Sequence, residues 1–249
     1  MKLIVVLLAV FLQACVAIEH QEGALEIKPI AKDVYLHTSY KWLEGFGHYP
    51  SNGLIVLNGN DAIIVDTPWL KEDTVRLVDW LEEAGLRPRA SISTHFHDDR
   101  SSGISYLNKL GVDTYASTHT NELLAARSSP TAQKEFSETP YLLAGGKLEA
   151  YYPGAGHSAD NIVIWLPESR ILFGGCLIRA ANSQSMGNTA DGSVPDWAQS
   201  VLRVKDKYSA SQFVVPGHGA IGGQELLDHT MGLAKKRALA DQQASTSAK

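Results

Sequence analysis

Three things are scarce in this 249-residue chain: cysteine, positive charge and long apolar runs. Lys and Arg number 22 against 27 Asp and Glu, which gives a formal net charge of -5. A nucleic-acid-binding protein needs a basic patch or stripe, so we expect no nucleic-acid partner. The 44% hydrophobic and 20% charged residues are typical of a globular protein with enough apolar side chains for a core.

The apolar run Leu3 to Leu12 is too short to cross a bilayer. It follows Lys2 and precedes small residues at Ala14 and Ala17, which is the pattern of a secretory signal peptide over residues 1–17. Cleavage after Ala17 would release the chain into the periplasm without stable membrane insertion. An alternative remains open, because Leu12-Gln13-Ala14-Cys15 resembles a lipobox, although with an unusual Gln, and would place a lipid anchor on Cys15.

The two cysteines are Cys15 and Cys176, and Cys15 lies in or beside this leader. The mature chain is therefore predicted to have no internal disulfide. A lone thiol in an oxidising compartment is a liability unless it is buried or bound to a metal as a thiolate. Cys176 needs one of these two explanations.

From about residue 24, strand-like and helix-like segments alternate. Asn58-Gly59-Asn60 predicts a hairpin turn between two β-branched segments, and Lys71 to Ala84 has helical apolar spacing before Gly85. Strand runs followed by helices in each half favour an α/β sandwich of two facing sheets with helices outside. Without a Pro-, Gly- or Ser-rich linker, we predict a single domain over 18–239, with a disordered tail over 240–249 that lacks large apolar side chains.

The motif His95-Phe96-His97-Asp98-Asp99 lies at the end of a predicted strand, Ala90 to Thr94. Residues two apart in extended chain point to the same side, so His95 and His97 can reach one ion while Asp99 projects toward a neighbouring position. Three later segments place His157, Cys176 and His218 in Gly-rich turns or at strand ends. These six residues are the candidate metal ligands.

The spacing and flanking residues resemble the metallo-β-lactamase fold family from about Leu25 to Leu239. Most hydrolases of that superfamily have His directly after the motif's Asp and a bridging Asp at the position of Cys176. Here Arg100 and Cys176 stand instead, which is the pattern of subclass B1. Phe173-Gly174-Gly175-Cys176, Gly187-Asn188 and Pro216-Gly217-His218-Gly219 carry the same likeness.

The resemblance implies an αββα four-layer sandwich of two mixed sheets flanked by helices, and two zinc ions per subunit. His95, His97 and His157 would hold the first zinc, and Asp99, Cys176 and His218 the second. The implied reaction is the opening of the β-lactam ring of penicillins, cephalosporins and carbapenems by a zinc-bound hydroxide, which confers antibiotic resistance. Asp99 would orient the water and could pass a proton.

The resemblance also assigns residues around the metals. Arg179, where many B1 enzymes have Lys, would bind the substrate carboxylate, and Asn188 would donate to the developing oxyanion. Trp42 and Phe46, in a segment flanked by two predicted strands, would form an apolar lid. Plainer interpretations remain open for these residues: a solvated Arg, a turn Asn and a core-packing loop.

Two charged residues near the motif complete the predicted site. Asp66 would orient the metal ligands without binding the metal itself. Arg100 would do the same beside Cys176, and the alternative interpretation of Arg100 is a surface salt bridge. Two other functions remain open: hydrolysis of a lactone, thioester or phosphoester on the same fold, and non-catalytic zinc binding. Without a surface apolar repeat, the sequence predicts a monomer.

Overall fold

The computed structural model describes residues 25–247 of the chain. The predicted signal peptide and Cys15 lie outside these residues. Within the described part, no helix combines the length and apolarity needed to cross a membrane.

The strands of the first sheet are β1 (Leu25–Ala31), β2 (Val34–Leu43), β3 (Gly47–Asn58), β4 (Asp61–Val65), β5 (Arg87–Ile92), β6 (Asp113–Ser117) and β7 (Lys134–Phe136). Those of the second sheet are β8 (Tyr141–Leu143), β9 (Leu148–Tyr151), β10 (Val163–Leu166), β11 (Ile171–Gly175) and β12 (Phe213–Pro216). The helices are α1 (Lys71–Glu83), α2 (Asp98–Ser101), α3 (Ile104–Lys109), α4 (Thr118–Ala126), α5 (Val194–Lys207) and α6 (Glu225–Ser247), with a 3-10 turn at Ala144–Gly146.

The first sheet keeps its strands in sequence order from β1 to β7. Its first four strands form an antiparallel meander, and β4 to β7 pair in parallel. Asn58 pairs with Asp61, and Gly59 between them has a φ of 63°, where glycine carries no steric cost. The predicted hairpin at this turn is confirmed.

The second sheet has the order β12-β11-β10-β9-β8, antiparallel except for the parallel pair β11 and β12. Side chains of both sheets share one buried cluster that includes Leu54, Ile92, Ile164 and Phe173. Helices α1 and α3 cover the outer face of the first sheet, and α5 and α6 cover that of the second. The predicted four-layer sandwich of two mixed sheets is confirmed.

The last helix differs from the prediction of a disordered tail from residue 240. Helix α6 continues to Ser247, although its last two turns are exposed. Arg237 pairs with Asp241 one turn later, and the hydroxyl of Ser245 donates to the carbonyl of Asp241. Local pairs and the helix-favouring Ala and Gln residues of this stretch thus replace the apolar burial that the prediction required.

Parallel pairing brings four strand ends to one edge of the sandwich. Strands β4 and β5 run together in the first sheet, as do β11 and β12 in the second. The loops that follow these strands carry Asp66, the His95–Asp99 motif, Cys176 and His218. The loop between β9 and β10 brings His157 to the same edge.

Candidate metal centre

Three imidazole rings meet where the loop after β5 faces the loop between β9 and β10. His95 Nε2 lies 3.1 Å from His97 Nδ1, which lies 3.0 Å from His157 Nε2. The predicted strand Ala90 to Thr94 ends earlier, at Ile92, so the two histidines sit in the bend before α2. The bend still brings both rings to one point.

The spacing of this trio fits a zinc ion, and so does the protonation of His95 and His157. Zinc binds imidazole nitrogen at about 2.0–2.1 Å, which separates tetrahedral ligand atoms by roughly 3.3 Å. Burial lowers the pKa of His157 to about 3 and that of His95 well below its ordinary value, and the neighbouring histidines add to both shifts. Both rings are therefore neutral at pH 7, as metal ligation requires.

The outward nitrogen of His97 is held by a residue that the sequence did not single out. His97 Nε2 lies 3.0 Å from a carboxylate oxygen of Asp191, in the loop before α5. A ring that donates from Nε2 keeps its Nδ1 lone pair free for a metal. An Asp in a loop 94 residues away gives no local sequence signal for this contact.

A second cluster combines a carboxylate, a thiol and an imidazole. Cys176 Sγ lies 3.5 Å from Asp99 Oδ2 and 3.3 Å from His218 Nε2, and His218 Nε2 lies 3.2 Å from Asp99 Oδ2. His218 Nδ1 donates to the Pro50 carbonyl at 2.6 Å, which leaves Nε2 facing the cluster. Ligand atoms of His95, Asp99 and Cys176 lie within 4.8 Å of one another, so the two clusters adjoin.

Arg100 stands behind this second cluster with its side chain fully buried. Its Nη2 lies 2.8 Å from Asp99 Oδ2 and 3.0 Å from Cys176 Sγ, and its Nη1 lies 3.3 Å from Asp66 Oδ2. Burial opposes the charge of Arg100, but these acidic neighbours outweigh it and raise its pKa. The interpretation of Arg100 as a surface salt bridge is wrong, because the structure places it in the interior beside Cys176.

The acidic groups around Arg100 differ in their titration. Burial opposes ionisation of Asp99, yet Arg100 and His218 hold its pKa well below the ordinary range. Burial raises the pKa of the Cys176 thiol despite the nearby guanidinium. In the absence of a metal the thiol is therefore protonated at pH 7, and a bound cation would favour its thiolate.

Two glycines allow the chain to approach this cluster closely. A side chain at Gly217 would place its Cβ 2.8 Å from both Cys176 Sγ and Arg100 Nη2. Gly175, directly before the cysteine, has a φ of 51°, which L-residues rarely adopt. Larger residues at these positions would displace the thiol from Asp99 and His218.

Asp66 supports the first cluster from outside it, at the end of β4. Its carboxylate accepts from the Thr94 amide at 2.7 Å and from the Thr94 hydroxyl at 2.8 Å, directly before His95. Burial raises the pKa of Asp66 to about 7, against the opposing influence of Arg100. Its φ of 59° lies in the left-handed region, which Asp adopts more readily than most L-residues.

Both clusters open into a cavity of about 680 Å³. Arg179, Asn188 and Phe46, the residues proposed to meet a substrate, all line it, together with His97, Asp99, His157 and His218. Asn188 Oδ1 accepts from the Ala190 amide at 3.0 Å. Its amide NH2 group makes no hydrogen bond within residues 25–247 and is free to donate to a ligand.

The two predicted lid residues, Trp42 and Phe46, have different surroundings at the tip of the β2–β3 hairpin. Phe46 is 75% exposed and lines the cavity, and its ring lies 6.0 Å from that of Tyr49. Trp42 is not among the cavity-lining residues and packs edge-on against His48. Tyr49 and Trp69, which the sequence did not single out, continue the aromatic wall from Phe46 to the ring of His218.

Comparison with known proteins agrees with this geometry. The sequence profile of the metallo-beta-lactamase superfamily matches residues 46–218. The metallo-beta-lactamase type 2 of Pseudomonas aeruginosa is 41% identical over 212 residues, which cover 85% of each chain. That of Bacteroides fragilis is 38% identical over 208 residues, which cover 83% of this chain and 84% of the relative.

Solved structures show the same likeness. TMB-1 superposes with a TM-score of 0.84 at 45% identity, over 86% of this chain and 98% of its own. VMB-1 superposes with a TM-score of 0.85 at 40% identity, over 87% of this chain and 99% of its own. The chain belongs to the metallo-β-lactamase superfamily and, within it, to the subclass B1 metallo-β-lactamases.

Proposed function

We propose that this chain is a periplasmic, two-zinc β-lactamase that opens the ring of penicillins, cephalosporins and carbapenems and so confers resistance. The observation that carries the proposal is the pair of adjoining donor clusters at one cavity, one of three imidazoles and one of carboxylate, thiol and imidazole. Structural zinc sites close all four positions with protein ligands, whereas a three-ligand site leaves one for substrate or water.

We assign the first zinc to His95, His97 and His157, and the second to Asp99, Cys176 and His218. The soft, anionic thiolate and the carboxylate neutralise the second ion. When bound, zinc supplies hydroxide near neutral pH and polarises a carbonyl oxygen. The protein's part is to hold the substrate and the attacking water in line.

Asp99 is suited to orient the attacking water. Arg100 and His218 keep its pKa low, so its carboxylate stays ionised and accepts a hydrogen bond from water at neutral pH. A low pKa also makes Asp99 a weak base, so a proton that it accepts is passed on readily to the departing nitrogen.

Arg179 and Asn188 are suited to bind the substrate on the second-sheet side of the cavity. β-Lactam antibiotics carry a carboxylate beside the lactam nitrogen, and a guanidinium can bind it through two parallel hydrogen bonds. The free NH2 group of Asn188 can donate to the carbonyl oxygen as negative charge develops there. Phe46, on the exposed tip of the β2–β3 hairpin, would cover the apolar part of the ligand.

Turnover of a chromogenic cephalosporin by the purified mature protein tests this function. We expect hydrolysis that a chelator abolishes and added zinc restores. Activity confined to lactones, thioesters or phosphoesters would move the protein to another reaction on the same fold. Two bound zinc ions without turnover of any of these substrates would make it a binding protein.

The ligand assignment is tested separately by the zinc content of variants. Cys176→Ala should lose the second zinc and keep much of the first, because the three imidazoles do not depend on the thiol. His157→Ala is the matched variant for the other cluster and should lose the first zinc preferentially. If Cys176→Ala kept both ions at full occupancy, the assignment would be wrong.

The cellular location and the oligomeric state are separate proposals. The leader over residues 1–17 supports export to the periplasm, and mass spectrometry of the mature N-terminus separates cleavage after Ala17 from a lipid on Cys15. We propose a monomer. Sedimentation of the mature protein across a range of concentrations would reveal a dimer if one forms.

A further inference from the structure

A second arginine lines the cavity that contains both metal clusters. Arg127 directly follows α4, which lies on the first-sheet side of the molecule, whereas Arg179 follows β11 on the second-sheet side. Two guanidinium groups therefore face one cavity from opposite halves of the chain. The carboxylate beside the lactam nitrogen of a substrate requires only one of them.

The position of Arg127 is fixed by an aromatic ring. Its guanidinium lies over the ring of Phe96, 5.3 Å from the ring centre, and Phe96 is itself buried in the metal-binding motif between His95 and His97. A cation over an aromatic face is attracted by the ring while its N–H groups stay available at the edge. This contact holds the charge at the cavity wall.

The hydrogen-bonding capacity of Arg127 is unused in the protein. Within residues 25–247 its guanidinium makes no hydrogen bond, and its ion-pair partner, Asp98, lies 3.8 Å away with both side chains about half exposed. The other two acids that line the cavity are engaged elsewhere, Asp99 with Arg100 and Asp191 with His97. Five donors in a planar fork thus remain free for an anionic ligand.

A neighbouring cavity extends the positive surface. It has a volume of about 330 Å³ and shares Trp69 and Asp98 with the main cavity. Lys41 and Lys71 line it, together with Ser129 two residues after Arg127. A substituent that reaches past Asp98 therefore meets further cations.

The shape of a β-lactam sets which part of it would approach this wall. In a penicillin the ring carboxylate and the acylamino side chain lie at opposite ends of the fused rings. With the carboxylate bound at Arg179, the acylamino side chain extends away from that residue. The first-sheet wall, with Arg127, then lies on the side toward which the side chain extends.

We infer that Arg127 forms an anion subsite that selects β-lactams with a second carboxylate in the acylamino side chain. The inference rests on the proposed function, because the substrate must be a β-lactam. No bond is made or broken at Arg127; its contribution is to bind the substrate and orient it.

A matched pair of penicillins isolates this interaction. Benzylpenicillin and its α-carboxy derivative, carbenicillin, differ by one carboxylate in the side chain. The readout is the ratio of kcat/KM for carbenicillin to that for benzylpenicillin, measured at low and high salt. An ion pair between half-exposed groups contributes modestly to binding, so we expect Arg127→Gln to lower this ratio about two- to fivefold at low salt and less at high salt.

Charge reversal separates an electrostatic role from a structural one. Arg127→Glu should lower the ratio further than Arg127→Gln, and Arg127→Lys should retain most of it. Arg237→Gln, on α6 and outside the cavity lining, is the matched control and should leave the ratio unchanged. A ratio that is the same in the wild type, Arg127→Gln and Arg127→Glu would overturn the inference while the proposed function stands. Failure of the wild type to hydrolyse either penicillin would overturn both.

Discussion

Arg100 shows how one buried side chain organises several others. It is fully buried and contacts two carboxylates and the thiol of Cys176, so its removal would leave buried acidic groups without a counter-charge. Breaking a buried ion pair from one side costs about 3–5 kcal/mol. We therefore expect Arg100→Met to lower the free energy of unfolding by about that amount, measured by urea denaturation with and without a chelator.

The control for this measurement is an exposed arginine. Arg87 pairs with Asp61 at 2.8 Å while its own side chain is 74% exposed. Exposed pairs contribute about 0–1 kcal/mol, so Arg87→Met should change the unfolding free energy by no more than that. An equal, small effect of both substitutions would contradict the structural role of Arg100.

Asp191 is predicted to control metal affinity without touching the metal. Its carboxylate fixes His97 through the outward nitrogen, and loss of such a partner costs about 10- to 100-fold in metal affinity. Asp191→Ala should weaken zinc binding within that range, measured by competition with a chromophoric chelator. Asp228→Ala, which removes only a surface partner of Lys205, should leave zinc affinity unchanged. Equal zinc affinities for both variants would show that His97 needs no support from the loop.

The residues that the sequence predicted and those it missed differ in how they are encoded. Asp99, Cys176 and His218 each belong to a short motif at a strand end, so local sequence locates them. Asp191 and Trp69 reach the cavity through tertiary folding alone and carry no local pattern. Sequence reasoning therefore found the donor clusters more completely than the walls around them.

At the scale of elements, the β2–β3 hairpin gives a test of which side chains cover the site. Phe46 lines the cavity, whereas Trp42, on the same hairpin, packs against His48. Burial of an aromatic side chain against a ligand contributes about 1–3 kcal/mol, so Phe46→Ala should lower kcat/KM for a cephalosporin about tenfold. Trp42→Ala should have less than about a threefold effect, since only packing within the hairpin is lost.

Steady-state kinetics on several cephalosporins with different apolar side chains would check this difference. The effect of Phe46→Ala should appear mainly in KM, because the ring contacts the substrate and not the reacting atoms. A larger loss in Trp42→Ala than in Phe46→Ala would mean that the hairpin rearranges on binding and brings Trp42 into the cavity.

Element boundaries were predicted less well than element types. The strand before the histidine motif ends at Ile92 and not at Thr94, because the Thr94 amide and hydroxyl bind Asp66 and turn the chain. The last helix passes residue 240 because local side-chain pairs continue it without burial. In both places, contacts that apolar periodicity does not reveal decide where the element ends.

At the scale of the whole molecule, the candidate ligands join two halves of the sandwich. His95, His97 and Asp99 follow the first sheet's β5, whereas the other three ligands come from loops of the second sheet. Asn52 also connects the halves, since its backbone N–H donates to the Gly217 carbonyl at 2.9 Å, beside His218. A metal in either cluster would therefore cross-link two layers that otherwise meet through apolar packing and a few hydrogen bonds.

Chelation should accordingly destabilise the whole fold. A ligand present at 100 times its Kd stabilises the native state by about 2.7 kcal/mol per site. In a domain of this size 1 kcal/mol corresponds to about 2–4 °C in Tm, so loss of one site should lower Tm by roughly 5–10 °C. Scanning calorimetry of the zinc-loaded and chelated protein measures this shift, and added zinc should reverse it. The Tm of Cys176→Ala should fall on chelation only by the amount that one bound zinc contributes, because its imidazole cluster is intact. A Tm that did not respond to chelation in the wild type would mean that the two layers hold this edge together without a metal.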